Sequence, residues 1–139
     1  PDWVKRIVIM LVGVSTSGTS SLQVQLGDSG GVETTGYAGT CIGLIGGSAT
    51  NALYVSGFLL STAQVAAGLY SGSFTLNLED STDNTWVAQG VLGRSDTTAA
   101  GWATGGSKPL SAVLDRVRIT TTGGADTFDA GVINILYEG

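Results

Sequence analysis

Apolar residues recur at alternate positions over short stretches, separated by clusters of Gly, Ser, Thr and Asp, and this period of two predicts strands and turns. The clearest instance is Leu22-Gln23-Val24-Gln25-Leu26, with apolar side chains directed inward and amides outward. Within a candidate strand over 69–79, Phe74, Leu76 and Leu78 alternate with Thr75 and Asn77. The run 3–14 is long enough for a helix, but Val4, Ile7, Val8, Ile9 and Val12 are β-branched, which favours a buried strand. Further strands are expected over 36–45, 52–60, 85–92, 110–122 and 130–138. Turns fall at 15–20, 27–31, 46–48, 80–84 and 123–126, where glycine and short polar residues cluster. The segment 61–67 reads as a connection with a short helical turn, and 94–108 as a long irregular loop. The expected fold is all-β: an antiparallel β-sandwich, jelly-roll-like, of about eight strands in a single domain over 1–139.

Composition sharpens this picture. Charged residues make up 12% of the chain, about half of the roughly 25% usual for globular domains. Ser, Thr and 22 Gly supply the polar balance, which suits pleated sheets, and the low charge suits a subunit packed against copies of itself. The net charge is −5, with only 6 Lys and Arg, so there is no basic footprint for nucleic acid. No apolar run approaches the roughly 20 residues of a membrane-spanning helix, and no membrane insertion is expected. The start at Pro1-Asp2-Trp3, without an initiator Met, reads as the C-terminal fragment of a longer chain.

Gly27-Asp28-Ser29-Gly30-Gly31 spells the active-site motif of chymotrypsin-like serine proteases, yet the chain contains no histidine. Without an imidazole, Ser29 has no base to take its proton, and the single cysteine, Cys41, has none either. The motif therefore reads as a turn. The clusters Glu79, Asp80, Asp83 and Asn84, and Asp126 and Asp129, lack the spacing of a calcium loop and read as solvated turn residues. A glycosidase would need two carboxyl groups about 5–10 Å apart across a groove; Asp115, Glu79 and Asp80 could supply them in principle, but such activity usually sits in larger, repetitive β-helical domains, and this chain shows no such repeat. No catalytic residue, metal or cofactor is expected, and the chain is read as a non-enzyme.

Three early segments, Trp3-Val4-Lys5-Arg6-Ile7, Gly13-Val14-Ser15-Thr16-Ser17-Gly18 and Gln23-Val24-Gln25-Leu26-Gly27, resemble the C-terminal domains of tail fibre proteins of tailed bacteriophages. So do Gly90-Val91-Leu92-Gly93-Arg94, Leu114-Asp115-Arg116-Val117-Arg118-Ile119-Thr120, and the closing run from Asp126 to Tyr137. The resemblance covers nearly the whole chain. It implies a virion tip domain, a β-sandwich assembled as a homotrimer, that meets the host surface and binds a bacterial polysaccharide or lipopolysaccharide. The alternative is a trimerisation or decoration domain without receptor binding. The resemblance supplies no fixed set of binding residues. On side-chain chemistry, Trp102 is the candidate stacking platform for a sugar, flanked by Asp96, Thr104 and Ser107, with Tyr37 as a second aromatic. Trp86 is expected in the core. The similar runs 4–9 and 114–119 raise a charged column through Arg6 and Arg116, if those strands pair.

Overall fold

The computed structural model describes residues 2–96 and 98–139, and among these the alternating segments form strands and no helix. The strands are β1 (Arg6–Thr16), β2 (Leu22–Asp28), β3 (Gly31–Val32), β4 (Ala38–Ile45), β5 (Ser48–Tyr54), β6 (Phe58–Leu59), β7 (Tyr70–Asp80), β8 (Thr85–Arg94), β9 (Ala100–Pro109), β10 (Arg116–Thr121) and β11 (Phe128–Glu138). The larger sheet has seven strands in the order β11-β1-β7-β8-β9-β4-β5. The smaller has four, with β10 on one side of β2 and the short β3 and β6 on the other. All pairings are antiparallel.

The alternation read in the sequence becomes rows of side chains crossing the larger sheet. One row on its inner face runs Ile135, Ile9, Phe74, Gly90, Thr104, Cys41, Ala52. The next runs Ile133, Leu11, Gly72, Leu92, Trp102, Gly43, Thr50. Leu22, Val24 and Leu26 of the smaller sheet pack with these rows into one core, completed by Phe58, Leu60, Tyr70 and Trp86. Burying each such side chain contributes roughly 1.5–3 kcal/mol, which is what holds the two layers together.

Glycine in this core makes room for aromatic rings. A Cβ on Gly43 would sit 2.3 Å from Trp102 Cδ1, and one on Gly39 would sit 2.2 Å from the Tyr54 hydroxyl. The rings thus lie across the neighbouring strand at positions where no other residue fits. A second use of glycine is the hairpin between β4 and β5, where Gly46 and Gly47 both have positive φ (55° and 90°), the conformation a two-residue turn demands.

The structure corrects several expectations. The strand count rises from about eight to eleven. The segment read as irregular, 94–108, contains β9, because its small residues alternate with Trp102, Thr104 and Lys108 on the inner face. The segment 61–67 forms turns without a helix. Gln23 and Gln25, expected in solvent, are buried: Gln25 Nε2 donates to the Ser56 carbonyl at 2.6 Å, while Arg118 Nε donates to Gln25 Oε1 at 2.8 Å. No charged column forms through Arg6 and Arg116, since they lie on different sheets, each beside its own acid, Glu138 at 3.2 Å and Asp115 at 2.8 Å.

Candidate functional site

The residues expected to bind a sugar do not converge. Trp102 is 2% exposed; its indole N–H donates to Thr62 Oγ1 at 3.0 Å and its ring packs at a tilt on Tyr70. A buried tryptophan of this kind presents no face to a ligand, which corrects its reading as a stacking platform. Thr104, also on the inner face of β9, is buried beside Tyr54. Ser107 falls on the opposite, outer face because of the strand's period of two. Asp96 lies in the hairpin between β8 and β9, with Oδ1 2.6 Å from Arg94 Nε. That contact is an ion pair rather than a hydrogen bond, since the Nε–H has no aligned acceptor. Tyr37 is buried edge-on against Phe58, its hydroxyl accepting the Leu26 N–H at 2.7 Å. Burial pushes the Tyr37 phenol up to about 12.

The Gly27–Gly31 motif folds as the turn between β2 and β3. Asp28 Oδ1 accepts the Gly30 N–H at 2.7 Å, and Asp28 Oδ2 accepts the Ser111 hydroxyl at 2.9 Å. Beside it stands a clasp that the sequence analysis missed. Lys108, its side chain 4% exposed, is ion-paired with Glu33 and lies over the Tyr37 ring, 5.4 Å from its centroid. Glu33 also accepts the Ser111 N–H at 2.8 Å and the Ser111 hydroxyl at 2.6 Å. Burial raises the Glu33 carboxyl, but the Lys108 ammonium and the two Ser111 donors outweigh it and hold the group below its ordinary value. Both Glu33 oxygens have a donor within the chain, and the single Ser111 hydroxyl proton is shared between Glu33 Oε1 and Asp28 Oδ2, so the cluster ties the β2–β3 turn to the connection after β9. Lone charges at positions 33 and 108, so far apart in sequence, gave no signal of their meeting.

The feature without an internal explanation is the outer face of the seven-stranded sheet. Its rows run Asn134, Met10, Ser73, Val91, Ala103, Ile42, Asn51 and Leu136, Val8, Thr75, Gln89, Gly105, Thr40, Leu53. Ile42, Leu44, Val91 and Leu53 are 55%, 60%, 64% and 82% exposed. Ile42, Leu44, Ala49, Val91 and Ala103 line an open groove of about 600 Å³. Toward the middle of the sheet it continues, past Val91 and Ala103, into a hollow of about 450 Å³ lined by Ser73, Thr75 and Gln89. Neither hollow has a charged residue in its lining. The reason lies in the sequence: from Thr34 to Leu78 there is no Asp, Glu, Lys or Arg at all. β4 and β5 are therefore wholly uncharged, although the chain is acidic.

The groove in this face has the chemistry of a contact surface. Large exposed apolar areas on a soluble domain mark places where another surface is received. Cys41 offers no nucleophile, being fully buried, with its thiol pushed up to about 11 by burial. No family model, curated protein or solved structure matches the chain.

Proposed function

We propose that the chain is the tip domain of a bacteriophage tail fibre, that three copies associate through the outer face of the seven-stranded sheet, and that the trimer attaches to a bacterial surface polysaccharide or lipopolysaccharide without covalent chemistry. The observation that supports assembly is the run of exposed Ile42, Leu44, Leu53 and Val91 in and beside an open groove whose lining carries no charge. Covering it removes apolar surface from water at no cost in charge burial, and a closed ring of copies does so on every subunit. Glycan attachment rests on the resemblance to tail fibre domains; multivalency would turn weak single-site contacts into firm attachment.

The alternative reading, an assembly module without receptor binding, is favoured by one observation: Trp102 and Tyr37 are both in the core, so neither offers a sugar a stacking face. Sedimentation of the purified chain, combined with a pull-down of the labelled chain on intact bacteria, separates the two. A species of three times the 14.0 kDa chain mass that binds cells saturably is the expected result. A trimer that binds no cells assigns the chain to assembly alone. Val91→Lys, at an exposed outer position, should leave the fold intact and reduce the trimer to monomer; a trimer unaffected by it would remove this face from the assembly.

A further inference from the structure

Of the 6 basic side chains, Arg6, Arg94, Lys108 and Arg116 each stand against a carboxylate. Lys5 donates to the Asp2 carbonyl at 2.8 Å. Arg118 alone has neither an acid nor a carbonyl beside it among the described residues. It lies on β10, where Val117 and Ile119 pack toward the core, so Arg116, Arg118 and Thr120 face outward from the smaller sheet. Both arginines are exposed.

Arg118 has a fixed, neutral partner instead. Its Nε–H donates to Gln25 Oε1 at 2.8 Å, and Nη2 donates to the same oxygen. Gln25 is 3% exposed, and its Nε2 donates in turn to the Ser56 carbonyl at 2.6 Å. The amide is therefore held from behind and fixes the guanidinium in one orientation. An amide oxygen does this without cancelling the charge, whereas a carboxylate in its place would cancel it. A guanidinium carries five N–H donors in a rigid fork, and Gln25 occupies only the side next to Nε. The edge between the two terminal nitrogens is the one that grips a carboxylate or phosphate through two parallel hydrogen bonds.

Arg116 adds a second cation on the same strand face, two residues and so about 7 Å away. Its stem lies across Gly27, where a Cβ would come within 2.9 Å of Arg116 Cγ. Across from these residues, β2 presents only Gly27, Gln25 and Gln23, none of them charged.

We infer that the outer face of β10 is an anion site, at which Arg118, with Arg116 and Thr120 beside it, receives a single carboxylate or phosphate group carried by a surface sugar. The chain's net charge of −5 repels a densely charged polymer, so one anionic group on an otherwise neutral glycan is the fit. The inference rests on the glycan-attachment reading above and names the chemistry of the ligand. Charge here takes the place of the aromatic stacking that buried Trp102 and Tyr37 cannot give.

The test is a titration of the purified chain, at fixed ionic strength, with galactose, galacturonate, galactose phosphate and inorganic phosphate, read from the Arg118 Nε–H resonance. Galacturonate or galactose phosphate should shift it saturably, and galactose should not; which of the two binds tighter separates carboxylate from phosphate. Arg118→Gln, whose amide can still donate to Gln25, should weaken binding at least about tenfold with the fold intact by thermal melting. Arg118→Lys keeps the charge but loses the fork, and should fall between. Equal binding of inorganic phosphate would overturn the sugar assignment, and binding unaffected by Arg118→Gln would overturn the site. The same variants in the pull-down on bacteria separate this inference from the reading beneath it. Cells bound equally by the parent and Arg118→Gln would overturn the inference and leave attachment standing. Anionic sugars bound by a parent that binds no cells would support the site and remove the attachment reading.

Discussion

Trp102 carries three constraints at once: its ring fills the space that Gly43 vacates, packs on Tyr70, and anchors Thr62 through its N–H. Replacing it with alanine empties a core site and leaves the Thr62 hydroxyl with Thr50 alone as a partner. Trp102→Ala should cost about 3–5 kcal/mol of unfolding free energy, read as a drop in urea midpoint with little change in slope. A variant as stable as the parent would return Trp102 to the candidates for ligand stacking. The same residue shows where sequence reading stops. A tryptophan among Ala, Gly, Ser and Thr reads as a loop residue, because the small neighbours give no apolar alternation. They are small for a physical reason, in that the aromatic rings of adjacent strands lie across them. Phe74, whose chain alternates with ordinary apolar partners at Leu76 and Leu78, was legible at once.

At the level of elements, β2 and β7 were legible from alternation, β1 from its β-branched residues, β8 and β11 as runs between turns, and the Gly46-Gly47 hairpin from its glycines. The order of the strands was not, because it depends on contacts far apart in the chain. Neither was the clasp of Glu33, Lys108 and Ser111, which joins the β2–β3 turn to the end of β9. The clasp has a signature in pH. The folded-state pKa of Glu33 is lowered from the ordinary 4.5, so its contribution is complete above that value and is lost as pH falls through the lowered folded-state value. Asp80 is lowered in the same direction, by the backbone N–H of Thr82. Glu33→Gln should therefore lower the thermal midpoint at pH 7, and the gap from the parent should close on acidification below about pH 4.5. A gap of constant size down to pH 3 would show that Glu33 acts through packing rather than charge.

For the whole molecule, the seven-stranded sheet presents exposed apolar side chains on its outer face, around a groove with no charged residue in its lining. Several of the strands were legible one by one, but the face emerged only when β4, β5, β8 and β9 were placed side by side. Exposed Ile42 and Leu44 look in the sequence like core residues of one more strand; only the register puts them outward, beside Val91 and Ala103. The candidate binding residues failed for the complementary reason. Positions 102 and 107 are neighbours in a loop but lie on opposite faces in a strand.

The uncharged tract from Thr34 to Leu78 has a consequence for the conditions under which copies would hold together. Contacts between charged groups are screened by salt, whereas apolar contacts between neutral surfaces are not, and they weaken on cooling. An assembly joined through this tract should keep its dissociation constant between 0.05 and 0.5 M sodium chloride, within about twofold, and loosen measurably when chilled. A steep salt dependence in sedimentation would place the joint elsewhere. A particle built this way would tolerate fresh water and brine alike, and cold would be the condition that limits it.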